Sequence, residues 1–172
     1  MAVSGKVISG GILGITAAFG IGVYYAQVYG YYETFTQGEV ALTSVVSGEP
    51  TRIPVTEFEG IDADSSPIRY RACFKTPLST AMLTETFTTL KRSEPRNAPE
   101  WVGCFDAGQI AADIDAGLAT AYLGAANYAF GIDRIVAIYD DGRGFVWHQI
   151  NDCGDKLYDG SQASDDCPER DQ

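Results

Sequence analysis

Hydrophobic positions run unbroken at the start of the chain and become periodic only afterwards. From Val7 to Tyr32 there are 26 residues without a charge, bounded by Lys6 and Glu33. A helix of that length would reach about 39 Å at ~1.5 Å per residue, whereas a bilayer core takes about 20 residues. The pattern predicts a single span from Val7 to about Val28. The surplus is aromatic: Tyr24, Tyr25, Tyr29, Tyr31 and Tyr32 suit a membrane–water interface. Lys6 at one end and Glu33 and Glu39 at the other place the amino terminus in the cytoplasm and the remaining chain outside. A cleaved signal peptide is the competing reading. Its small-residue site, Thr16-Ala17-Ala18, falls inside the apolar run instead of after it, so a retained anchor is preferred. Small residues recur at every fourth position: Gly10, Gly14, Ala18, Gly22, Ala26 and Gly30. Such spacing lets helix backbones approach closely in lipid. Four residues turn about 400°, so the stripe drifts, and Gly10, Gly14, Ala18 and Gly22 form the segment one straight partner helix could use.

Beyond Glu33 the pattern shortens. Val40–Val46 and Arg52–Phe58 read as strands around the turn Ser47-Gly48-Glu49-Pro50, with Pro54 making the second an edge or irregular. Gly60–Pro67 reads as a polar loop. Ile68–Lys75 alternates, with Ile68, Tyr70, Ala72 and Phe74 on one face and Arg69, Arg71, Cys73 and Lys75 on the other. Ser79 caps a predicted helix to about Arg92, burying Met82, Leu83, Phe87 and Leu90. After a loop pinned by Trp101 and Phe105, Asp106-x-x-Gln109 has the form of a capping box. The spacing of Ile110, Ile114, Leu118, Ala121, Tyr122 and Ala125 extends that helix to about Asn127. Ile135–Tyr139 and Phe145–Ile150 form a hairpin around Asp140–Gly144. The order predicts an α+β fold: an N-terminal transmembrane helix, then an antiparallel sheet with two helices on one face. The expected divisions are an anchor over 1–32, a domain over 33–151 and an acidic, disulfide-tethered tail over 152–172, where Cys153 and Cys167 could close a loop.

Charge and cysteines narrow the setting. Lys6 is the only basic side chain before Glu33, so of 12 basic and 23 acidic residues the remainder of the chain holds 11 and 23, a net −12. That field repels phosphate backbones and argues against nucleic acid as a partner. Cys73, Cys104, Cys153 and Cys167 all lie beyond the apolar run, which favours two disulfides in an oxidising compartment, with three connectivities open. No Cys-x-x-Cys pair supports a metal site.

Catalytic patterns are sparse. His148 is the only histidine and shares an alternating face with Val146 and Ile150, which reads as a packed core residue. Ser65 and Ser66 beside Asp62 and Asp64 read as a turn. The tail acids Asp152, Asp155, Asp159, Asp165 and Asp166 lack the spacing of a calcium loop. No phosphate-binding glycine loop or dinucleotide fingerprint occurs, and no cofactor is expected. Arg69, Arg71 and Lys75 stand out as a possible docking face for an acidic partner, against the plainer reading of a wet strand face neutralised by neighbouring acids.

The stretch Asp64-Ser65-Ser66-Pro67-Ile68-Arg69-Tyr70-Arg71-Ala72-Cys73-Phe74, together with Gln27-Val28-Tyr29-Gly30-Tyr31-Tyr32-Glu33, resembles an uncharacterised bacterial family. Its members look like single-pass membrane proteins carrying a domain of unknown function. The resemblance covers nearly the whole chain and implies a bacterial source and a periplasmic domain; it transfers no catalytic residues. The expected function is non-catalytic. The chain would be an accessory subunit or assembly factor in the inner membrane, packing its helix against an integral membrane partner, an energy-transducing complex being one candidate host. The alternatives are a homo-oligomer formed through the same glycine face, and a membrane-tethered enzyme or ligand-binding domain.

Overall fold

The structure is a computed structural model that describes residues 4–161, 164, 167 and 168. The chain divides into two compact units between Tyr32 and Glu33. The first is helix α1 (Gly5–Tyr25), continued by a π-helical turn over Ala26–Gly30. Together they form one helix long and apolar enough to cross a membrane. None of its residues is buried, and Tyr25 and Tyr29 stack at 5.6 Å in its last turns.

The second unit is α+β. Its main sheet has the order β1-β4-β5-β8-β7-β6, all pairs antiparallel, formed by β1 (Glu33–Phe35), β4 (Thr56–Asp62), β5 (Arg71–Lys75), β8 (Arg143–Ile150), β7 (Ile132–Tyr139) and β6 (Ala119–Ala129). A separate hairpin, β2 (Val40–Thr43) with β3 (Pro50–Ile53), packs over one face. There Val40, Leu42 and Ile53 meet Tyr122, Val136, Ile138 and Val146, and Leu83 of helix α2 (Thr80–Thr86) joins them. The opposite face carries helix α3 (Ala107–Asp115): Ile110 and Phe105 pack on Ile135, Phe145 and Trp147. The two helices therefore lie on opposite faces of the sheet, not on one. The hairpin that covers the α2 face was legible as strands but not as a separate layer.

Local chemistry explains several boundaries. Pro54 has no N–H to donate, and the run expected over Arg52–Phe58 breaks there: β3 ends at Ile53 and β4 begins in the other sheet at Thr56. Ser79 caps α2 by accepting from the Met82 N–H at 3.4 Å, as expected, but the helix stops at Thr86. Phe87 and Thr89 then form bridges with Ser44 and Tyr122. Threonines at 86, 88 and 89 favour that extended geometry over a further turn. Met82 is partly exposed instead of buried.

The largest departure follows α3. Asp106 accepts from the Gln109 N–H at 3.0 Å, as a cap should, while the Gln109 side chain donates forward to Asp113. Gly117 then takes φ +73°, a left-handed conformation that ends the helix. Residues 119–127, expected as the continuation of that helix, belong instead to β6. Alanine prefers helix in isolation, but Ala119 and Ala121 bury on one sheet face and Tyr122 on the other. Pairing with β7 overrides the propensity.

Candidate functional site

The small-residue stripe lies along one continuous helix. Gly10, Gly14, Ala18 and Gly22 all fall within α1, and a Cβ built on Gly10, Gly14 or Gly22 would meet open space. The glycines are therefore not required by any contact among the described residues.

Arg69, Arg71 and Lys75 do not form one exposed face. Arg69 lies in a short 3-10 turn over Pro67–Arg69, ahead of β5. Arg71 is buried, at 4% exposure. Its Nε donates to the Arg96 carbonyl at 2.7 Å, Nη1 to the carbonyls of Ile68 and Tyr70, and Nη2 to that of Asn97; its guanidinium also stands over the Phe105 ring at 5.7 Å. It is a pin holding the loop before α3 against the sheet. Lys75 alone is exposed, and it pairs with Glu57 at 2.7 Å. Beside Arg71, Cys73 bonds Cys104 and staples the same loop to β5. Cys153 bonds Cys167 across the tail. Of the three open connectivities, the structure adopts Cys73–Cys104 with Cys153–Cys167.

A shallow cavity of about 170 Å³ opens next to the first disulfide, between Thr34–Thr36, at and just past the end of the edge strand, and Trp101–Cys104. Glu59, Cys73 and Cys104 bring three potential ligand atoms within 4.8 Å there. Both sulfurs are spent in the disulfide, so the group cannot hold a metal as thiolates.

The most organised polar cluster is on the other face. His148 is 1% exposed, in keeping with the core residue expected from the alternation. It is not packed by aliphatic groups alone. Its Nδ1–H donates to the Pro67 carbonyl at 2.5 Å, which leaves Nε2 as an acceptor for Arg134 Nε at 2.9 Å. Tyr70 stacks on the imidazole at 4.9 Å and Tyr128 tilts over it at 4.6 Å. The same two rings enclose the Arg134 guanidinium, at 4.7 Å from Tyr70 and 3.9 Å from Tyr128. Arginine and histidine thus form one hydrogen-bonded layer between two tyrosines. Burial pushes the His148 pKa down to about 4, reinforced by the Arg134 and Arg71 charges and opposed by the Pro67 carbonyl. The imidazole is neutral at physiological pH, as its acceptor role requires. Burial raises the Tyr70 phenol above its ordinary value, against the pull of Arg134.

Sequence reading missed Arg134 and Tyr128, although a signal existed. The hairpin pairs Ile138 with Gly144, and counting back along that register places Arg134 opposite His148. Tyr128 lay just past the helix expected to about Asn127, so the strand that carries it went unread.

Residues 40–168 match the model of a family described as "Family of unknown function (DUF6446)". The match begins beyond the apolar helix. No curated protein and no solved structure matches the chain.

Proposed function

The chain belongs to the DUF6446 family, and we propose that it is a single-pass membrane protein whose disulfide-bonded domain lies outside the cytoplasm and acts by binding instead of turnover. The observation that carries this reading is the helix Gly5–Gly30, apolar along its length and without a buried residue. A soluble chain would be expected to cover so much apolar surface. Disulfides accord with an oxidising compartment, and Lys6 on the amino-terminal side accords with a cytoplasmic start. In the finer form of the proposal the membrane is the bacterial inner membrane and the domain is periplasmic. The helix packs Gly10, Gly14, Ala18 and Gly22 against an integral membrane partner, in the manner of an accessory subunit or assembly factor.

Fractionation of expressing cells tests the anchor. The full chain should stay with membranes through alkaline carbonate and leave only with detergent, and protease added to spheroplasts should reach the domain. Release by osmotic shock alone would remove the anchor from the proposal. Gly14→Ile tests the packing surface through mass spectrometry of mild-detergent pull-downs. A stoichiometric partner should be lost while the domain stays folded; equal recovery from both forms would end the packing claim, and recovery of self-copies alone would shift it to a homo-oligomer.

A further inference from the structure

We propose that Arg134 is the seat of a carboxylate-binding site on the folded domain, with Tyr70 and Tyr128 as its walls and His148 as its brace. The inference does not depend on the membrane reading. It starts from what the guanidinium does with its donors. Nε is committed to His148 Nε2, a neutral partner. The ion pairs among the described residues join Arg52 to Glu39, Lys75 to Glu57 and Arg143 to Asp141, and none includes Arg134. Neither terminal nitrogen of Arg134 has an acceptor among the described residues, and neither is sealed from solvent. An arginine that only clamped the fold would spend these donors on carbonyls, as Arg71 does with both of its own.

The setting is built rather than incidental. Tyr70 is buried beneath the guanidinium and Tyr128, half exposed, lies above it. The rings fix its plane, and the His148 bond fixes its rotation within that plane. Gly124 on β6 leaves room for the side chain's stem, since a Cβ there would stand 3.1 Å from Arg134 Cγ. A guanidinium held this way loses little freedom on binding and presents a planar two-donor fork, which matches the two oxygens of a carboxylate. The net charge of −11 disfavours a dianion more than a monoanion, which selects carboxylate over phosphate. The aromatic walls accommodate a carboxylate carried on a carbon stem, whether a free small acid or an acidic side chain of a polypeptide.

The test is an NMR titration of the full chain in detergent micelles, following the Arg134 Nε–Hε cross-peak, which is assigned by its loss in Arg134→Lys. Acetate, at ionic strength held constant with chloride, should move the peak saturably, with half-saturation on the order of tens of millimolar for one charge-assisted pair. Tyr128→Ala, at an exposed position, should weaken acetate roughly two- to fivefold. A blocked Gly-Glu-Gly peptide separates the sources: binding at least about tenfold tighter than acetate assigns the site to an acidic polypeptide, and equal binding to a free small acid. No saturable shift with acetate overturns the proposal and leaves Arg134 a structural clamp. Inorganic phosphate binding as tightly as acetate overturns the choice of carboxylate. If Arg134→Lys does not fold, the wild-type titration and its weakening in Tyr128→Ala still decide the matter.

Discussion

Arg71 and His148 are buried polar residues that answer the same demand differently. Arg71 is charged wherever it sits, so it gathers carbonyls from Ile68, Tyr70, Arg96 and Asn97. Truncation would strand those carbonyls and empty the space over Phe105. We expect Arg71→Ala to cost about 3 kcal/mol, read as a lowered denaturation midpoint. Arg71→Lys should recover only part, since an ammonium cannot span four acceptors in one plane. His148 can instead shed its proton, and the fold requires that it does. Between its ordinary pKa of 6.5 and its folded value of about 4, the unfolded chain binds a proton here that the folded chain refuses. Stability therefore falls as the pH falls through that window, by up to about 3 kcal/mol for this group. Denaturant unfolding from pH 7 to pH 4 should give a steeper decline for the native chain than for His148→Asn, because carboxylate titration is common to both.

At the scale of elements, the two disulfides are unequal by position. Cys73–Cys104 closes a separation of 31 residues and holds the long irregular segment before α3. Loop-closure entropy assigns it about 3 to 4 kcal/mol. Cys153–Cys167 closes 14 residues of the tail, beyond the last strand. Replacing the first pair by alanine should lower the melting temperature of the sheet markedly; replacing the second should barely move it. Gly117→Ala should cost about 1 kcal/mol through its positive φ alone, since a Cβ there meets no neighbour. Elements bounded by chemistry were legible in the sequence: the Ser79 and Asp106 caps, the β7–β8 hairpin, and the alternation that turns Tyr70, Ala72 and Phe74 inward. Elements decided by partners were not. The alanines of β6 carry a helical preference that only β7 overrules, and β1 is a three-residue strand with no periodicity to detect. The alternation placed Arg71 on the face away from Tyr70, but no local pattern says that a loop 25 residues later will cover that face. The Arg134 site fell between these cases, since its register was readable but one wall stood in the misassigned strand.

For the whole molecule, the charge distribution bears on whether the domain has any affinity for a membrane by itself. With a net −12 beyond the helix, it should be repelled by anionic lipid. A chain lacking residues 1–32, if it folds, should show no affinity for phosphatidylglycerol vesicles in a flotation assay, and raising salt should not create any. Attachment would then rest on the helix alone. The segment after α2 bears on a different hazard. Leu90 N–H donates to the Ala121 carbonyl, Leu123 N–H to that of Thr88, and the Thr43 hydroxyl to that of Gly124, so the outer margin of β6 is occupied over 121–124. Beyond it the margin is kinked, with register shifts on either side of Ala125 and a positive φ at Asn127. The opposite margin is β1, three residues long. A tethered protein is concentrated in two dimensions, where copies collide continually, and a long straight margin would let one sheet extend into the next. Here the fold leaves such growth little to begin from, which allows the domain to be crowded on a surface without polymerising.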